Sequence, residues 1–265
     1  ALARMSSLRV FFVGGYIAYR ALFNWMRPSY YIPTMLGAPL FQILFFAYIG
    51  RYTGLEDDAF FVVGNAVQLS AMAGIYGMAM TIGGERWTQT LSPLLATPAN
   101  RLALFLGRAL PLIANGIVTS AFSFAVGWSL LDFSLTAGEL PALAVVVVVS
   151  ATACTCFGLT IGAIGLRARD VFFLANLAVF LLLLMCGANF PLETLPGWLE
   201  TIARGVPLTH GILAAREVAA GASLADVRGL VATEAAIGSV YAALAYTLLR
   251  VFEADGRRRA TLETI

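Results

Sequence analysis

The sequence predicts an all-α integral membrane protein. Its expected parts are an N-terminal amphipathic interfacial helix, six transmembrane helices, a short cytoplasmic helix between the second and third spans, and an outer re-entrant hairpin before the last span. Three observations predict this class. Hydrophobic residues make up 60% of the 265-residue chain and charged residues 12%, against about 25% charged in a soluble domain. Long apolar stretches recur, each near the ~20 residues that a helix needs to cross the hydrocarbon core. The arginines crowd into alternate loops. Backbone groups in lipid must find partners within the protein, and the alternating period of a membrane barrel is absent, so the spans are read as helices.

Residues 1–28 form the first element. At 100° per residue, Arg9, Arg20 and Arg27 share one face of a helix, with Phe11, Ala18, Leu22 and Trp25 opposite. Such a helix rests at the membrane interface, its arginines toward lipid phosphates or a protein partner. The membrane domain follows over 30–252, with spans near 30–50, 60–84, 109–131, 141–165, 171–188 and 230–250. Tyr30, Tyr31, Tyr48 and Tyr52 bracket the first span as aromatic belts do. Pro33 and Pro39 predict a kink or break within it. Residues 253–265 form a tail. The whole chain is read as one domain, with no internal repeat between its halves.

Orientation follows from the arginines, since cytoplasmic loops carry the excess of positive charge. Thirteen arginines fall on the side of the N-terminus and four, Arg51, Arg204, Arg216 and Arg228, on the other. Both termini are therefore expected in the cytoplasm.

Several chemistries are excluded or left without residues. The chain has no lysine, so it lacks the P-loop lysine that reaches the β- and γ-phosphates. Cys154 and Cys156 lie two residues apart on a helix and point in different directions, unsuited to one metal site. They and Cys186 are read as small hydrophobes. His210 is the one histidine, without partners for a metal cluster or a catalytic set. The hearts of the spans hold no ionisable side chain, Glu234 lying near the outer end of the last. That pattern argues against ion-coupled transport, which places charge at mid-membrane. Neutral polar residues remain: Gln42, Asn65, Gln68, Asn115, Thr119, Ser120 and Asn176. They line a path for an amphipathic substrate or act as hydrogen-bonding glue between helices; both readings stay open.

Two loops carry more information. The cytoplasmic loop from Glu85, Arg86 and Trp87 through Thr90, Leu94, Leu95, Thr97 and Pro98 to Arg101 mixes polar and apolar residues. It suits a short helix across the membrane face. The outer segment from Asn189 to His210 is cut by Pro191, Pro196 and Pro207 and carries the apolar stripe Trp198, Leu199, Ile202. It is too apolar for water and too interrupted to span, which suits a half-inserted hairpin packed on protein.

At these loops the chain resembles the type-2 ATP-binding-cassette exporter permeases. The resemblance rests on Leu94-Leu95-Ala96-Thr97-Pro98 followed by Arg101 and Leu106-Gly107-Arg108. It rests equally on Asn189-Phe190-Pro191-Leu192, Leu195-Pro196-Gly197-Trp198 and Val206-Pro207-Leu208-Thr209-His210. Members often carry Gly-Thr-Leu-Glu before the first of these; here Thr90-Leu91 is followed by Ser92-Pro93. The resemblance implies a six-span half-transporter that pairs with a second permease copy and with two copies of a separate ATPase. ATP and Mg would be bound by that ATPase, and no cofactor by this chain. Glu85 to Arg101 would be the coupling helix seated on the ATPase, and the segment with Arg9, Arg20 and Arg27 the connecting helix. Phe190, Pro191, Trp198, Pro207 and His210 would belong to the outer re-entrant gate, while the first and fifth spans of the two copies form the translocation interface. The implied function is outward movement of a drug, natural product, lipid or lipid-linked glycan across a bacterial inner membrane. The alternative is a secondary carrier or channel that works without ATP.

Overall fold

The computed structural model describes residues 7–25, 32–54, 56–87, 101–168 and 170–259. They form α1 (Ser7–Trp25), α2 (Gly37–Thr53), α3 (Asp58–Trp87), α4 (Arg101–Leu130), α5 (Leu140–Gly165), α6 (Val171–Met185), α7 (Gly197–Gly205), α8 (Thr209–Ala219) and α9 (Arg228–Arg259). No strand occurs among the described residues. Four segments, Asp58–Gly83, Phe105–Leu130, Leu140–Gly165 and Arg228–Phe252, are long and apolar enough to cross a membrane. With 17 residues, α2 rises about 25 Å, and with 15 residues α6 rises about 22 Å. Both fall short of the ~30 Å hydrocarbon core unless their flanking turns contribute.

The break expected within the first span lies at its start instead. Pro33 belongs to a π-helical turn, Ile32–Leu36, and Pro39 is the third residue of α2, where the helix has no use for its N–H. The helix closes at Gly54, whose φ of 64° brings its N–H to the Gly50 carbonyl.

The centre of the bundle is α3, flanked by α2, α4, α5, α6 and α8. Lipid tails are as apolar as leucine, so helices in a membrane associate through close packing of small residues rather than through burial alone. The crossing of α3 and α5 shows this directly. A Cβ on Gly158 would lie 2.7 Å from the Ile75 backbone, and one on Gly162 would lie 3.2 Å from the Met78 carbonyl oxygen. On the α4 side, a Cβ on Gly116 would lie 2.3 Å from the Ser70 carbonyl oxygen. Between α5 and α9, the Thr160 hydroxyl donates to the Tyr241 carbonyl at 2.9 Å.

At one end of the bundle an ionic clamp joins three helices. Arg51 forms a bidentate pair with Asp58 and donates to Asp132 at 3.0 Å. Asp58 also accepts from the Asp132 N–H at 3.1 Å. The 131–139 loop lies at this end, and Arg216 of α8 reaches the Phe60 carbonyl there. At the opposite end lie the α3 and α4 termini that flank 88–100, and Arg167 stacks over Phe252 with 5.0 Å to the ring centroid. The helix α1 crosses the start of α4 there, glycine on glycine: a Cβ on Gly107 would lie 2.4 Å from the Phe11 carbonyl oxygen. Arg9 and Arg20 are exposed, and Phe11 and Ala18 are half-buried on the packed side. Phe12, Tyr16 and Ile17 are exposed as well, so the apolar surface of α1 is wider than one face. Arg27 and the side chains of Leu22 and Trp25 lie outside the described residues.

Replacing Gly158 by Leu forces a side chain into the Ile75 backbone. The expected cost is at least the ~1–3 kcal/mol typical of overpacking, read as a lowered unfolding midpoint in detergent. Gly229→Ala is the control: no atom lies within 4 Å of its Cβ position, and the midpoint should not fall.

Candidate functional site

The structure gathers three of the seven neutral polar path candidates, Gln42, Asn65 and Gln68, into one buried amide cluster. The Gln42 amide on α2 donates to Asn65 Oδ1 at 2.8 Å and to Gln68 Oε1 at 3.2 Å, both on α3. Asn65 in turn donates to the Phe61 carbonyl and to Asn189 Oδ1, each at 2.9 Å. Asn189 lies in the turn after α6, so the cluster ties three parts of the chain together. Asn65, Gln68 and Asn189 are all at least 95% buried, where an unpaired polar group is costly. Asn176 is elsewhere, accepting from the Tyr76 hydroxyl at 2.8 Å between α3 and α6. Asn115 sits on α4, beside the Gly116 crossing.

The outer segment is more helical than a hairpin ending at His210. It continues as α8, whose Ile212, Ala214, Ala215 and Val218 are fully buried against α3, α5 and α9. The stripe on α7 is split: Leu199 packs against Met185, Leu192 and Ala203, whereas Trp198 is 67% exposed and Ile202 49%. Phe190 is also exposed, Pro191 and His210 are half-buried and Pro207 is buried.

Between α7 and α8 the chain reverses at Leu208, a residue with φ of 89°, a left-handed conformation that bulky side chains avoid at a cost of about 1–3 kcal/mol. Glu234 holds it there. This carboxylate, seven residues into α9, has no exposed surface. One oxygen accepts from the Leu208 N–H at 2.6 Å and the other from the Gly211 N–H at 3.1 Å. It thus caps the start of α8 from another helix, placing a carboxylate at the positive end of the helix dipole. Leu208 has no side-chain acceptor of its own. The Thr209 hydroxyl completes the joint by donating to the Ala203 carbonyl of α7 at 2.7 Å. Gly211 permits the approach, because a Cβ there would lie 1.9 Å from Ser150 Oγ. Glu234 was visible in the sequence as a lone acid, but its partners lie 26 and 23 residues upstream, beyond any local motif.

Arg216 on α8 anchors the same element to α3. Its guanidinium donates to the Phe60 carbonyl at 3.2 Å and the Ala188 carbonyl at 3.1 Å, and lies 3.4 Å from the Phe60 ring centroid. Burial pushes its pKa down to about 10, so it stays charged at neutral pH. Gly64 makes room for it, since a Cβ there would lie 2.9 Å from Arg216 Nη2. Separately, an apolar groove of about 360 Å³ runs between α4 and α5, lined by Ile117, Phe124, Trp128 and Leu143 among others.

Of the cytoplasmic set, Glu85, Arg86 and Trp87 are the last residues of α3 and Arg101 is the first of α4; their side chains lie outside the described residues. Thr90, Leu94, Leu95, Thr97 and Pro98 lie outside them altogether. Cys154, Cys156 and Cys186 are buried free thiols.

Comparison with known proteins places this arrangement in context. The ABC-2 type transporter family matches residues 15–219. The "probable multidrug ABC transporter permease YbhR" of Escherichia coli K12 is 24% identical over 157 residues. Its counterpart in Escherichia coli O157:H7 is 24% identical over the same length. Each match covers 58% of this chain and 42% of the relative, so the chain spans about two fifths of the length of the relatives it matches.

Glu234→Ala strips the acceptor from two buried N–H groups, each worth about 1–3 kcal/mol when left unpaired. The expected outcome is a clear loss of thermal stability in detergent, with new protease cleavage near 205–209. Glu234→Gln keeps one acceptor oxygen and should lose less on both readouts.

Proposed function

The chain belongs to the ABC-2 type transporter family, and we propose that it is the membrane-spanning subunit of an ATP-driven exporter, moving an amphipathic substrate outward on energy from a separate ATPase. In this reading α2, α3, α4, α5, α6 and α9 are the six spans of a bacterial inner-membrane protein. Both termini and the 88–100 connection face the cytoplasm. Two copies of the chain pair with two copies of the ATPase, which binds ATP and Mg. Kinship with permeases named for multidrug transport supports a drug-like amphiphile among the possible cargoes.

The observation that carries the reading is the α3–α4 hairpin. Each helix has 30 residues and so rises about 45 Å, against a hydrocarbon core of ~30 Å. At one end the two helices finish in Glu85, Arg86 and Trp87 and begin at Arg101, flanking the 88–100 connection. In this reading the tip of the pair extends past the hydrocarbon and meets the soluble partner. Because α3 is also the centre of the bundle, force applied at the tip reaches every helix that α3 touches. ATP then acts through the partner, supplying the difference between two states that this chain alone does not supply.

Gentle purification from native membranes tests the assignment. The expected result is a stoichiometric ATP-binding subunit, two copies with two of this chain; recovery of the chain alone, still moving solute without ATP, overturns it. Substituting Pro at Leu94 or Leu95 should abolish export while leaving membrane insertion and ATPase binding of nucleotide intact. Unchanged export by either variant removes the coupling role of that segment.

A further inference from the structure

Hydrogen bonds in the amide cluster have a fixed direction, and it leaves donors over. The Phe61 carbonyl can only accept, so the Asn65 NH2 must face it, and Asn65 Oδ1 must therefore face Gln42. Gln42 then presents its NH2, which obliges Gln68 to present Oε1. The Asn65 NH2, already oriented, likewise obliges Asn189 to present Oδ1. No amide in the chain can be turned over without setting two like groups against each other. The consequence is that Gln68 Nε2 and Asn189 Nδ2 are buried NH2 groups without an acceptor. Arg216 adds a third buried donor of the same kind, its Nε. Its two bonded carbonyls belong to Phe60 and Ala188, the residues next to Phe61 and Asn189 of the cluster. The region is thus rich in donors and bears a positive charge whose hydrogen-bond partners are carbonyls, with the acidic side chains of Glu56, Asp57 and Glu193 acting on it only through space.

We infer that this region binds an oxyanion, a carboxylate or phosphate, carried by an amphipathic molecule. The inference rests on the reading of the chain as a path for amphipathic substrates and assigns the polar end of the substrate a chemistry. An oxyanion supplies several acceptor lone pairs to the surplus donors and offsets the guanidinium, and charge-assisted hydrogen bonds are the strong ones. An amine offers the region nothing that it lacks. Gln68 also borders a narrow cleft against Val179 and Leu182 of α6 and against Leu208. The cleft has no room for a water molecule in this conformation, so Leu208 and α6 cover the Gln68 donor, and binding there includes their displacement. The backbone reversal at Leu208, held by Glu234, is the hinge for that movement.

The test uses the purified full chain in phosphatidylcholine nanodiscs, titrated with dodecanoate, methyl dodecanoate and dodecylamine, with binding followed by intrinsic tryptophan fluorescence. The expected result is dodecanoate binding at least about tenfold tighter than either of the others, the scale of one charge-assisted hydrogen bond. Gln68→Glu and Asn189→Asp keep the oxygen that the cluster needs and replace the surplus NH2 by an acceptor. Each should weaken dodecanoate about tenfold or more while remaining monodisperse. If a variant fails to fold, the ranking of the three amphiphiles on the wild-type chain decides by itself. Equal affinity for the three, or unchanged dodecanoate binding by a folded variant, overturns the site. Adding phosphatidylglycerol to the nanodiscs identifies the source of the oxyanion: competition points to a lipid headgroup, and its absence to a transported molecule. Neither ATP nor the ATPase takes part, so failure here leaves the exporter reading to be judged by the purification.

Discussion

At Gly158 and Gly162 the backbone of α5 lies against that of α3, and at Gly116 the backbone of α4 does the same from the other side. The remainder of the bundle depends on these contacts. In water, helices gather because apolar surface is removed from solvent; in lipid that drive is absent, and what remains is contact at short range. A helix with large side chains along its seam would hold its neighbours further off. The polar bonds that bind this structure would then not reach, because Thr160 to Tyr241, and Asn65 to Asn189, each span 2.9 Å. Close approach comes first, and the directional bonds follow from it.

Those bonds are distributed along the depth of the bundle in a consistent way. At the clamp end, Arg51, Asp58 and Asp132 use full charges, where water and headgroups can solvate what is left over. About two to three turns further in, Gln42, Asn65 and Gln68 use neutral amides. Deeper still, the contacts of α3 with α4 and α5 are backbone and small side chains. The exception is Glu234, a carboxylate without exposed surface, and it is tolerated because both oxygens are engaged by N–H groups that α8 has no other means of satisfying.

The helical class and the places where the chain turns were legible in the sequence, because charge and proline mark the ends of apolar stretches. The seven-residue offset between the expected start at 30 and the helix start at Gly37 came from Pro33 and Pro39, which announce a disturbance without saying on which side of it the regular helix lies. The lengths of α2 and α6 were less legible, since apolar turns such as 186–188 read the same as apolar helix. Gln42, Asn65 and Gln68 could be proposed together because two of them are three residues apart on one helix; Asn189 could not, being 124 residues from its partner Asn65. The same reason hid Glu234 and Arg216. Their bonds go to main-chain groups, which every residue possesses, so no pairing of side-chain types announces them. The helix α8 was masked by Pro207 just before it, a residue that reads as an interruption and in fact precedes a helix start.

The bond between Glu234 and the Leu208–Gly211 turn also has a direction in time. The chain is made from its N-terminus, so the two donors are synthesised before their acceptor. The segment holding them has its first turn unsatisfied until α9 follows. That helix carries a carboxylate which has no partner within its own sequence neighbourhood, so its insertion and the docking of α8 are favourable together and costly apart. A chain interrupted between 219 and 228 would leave that element with open N–H groups at Leu208 and Gly211.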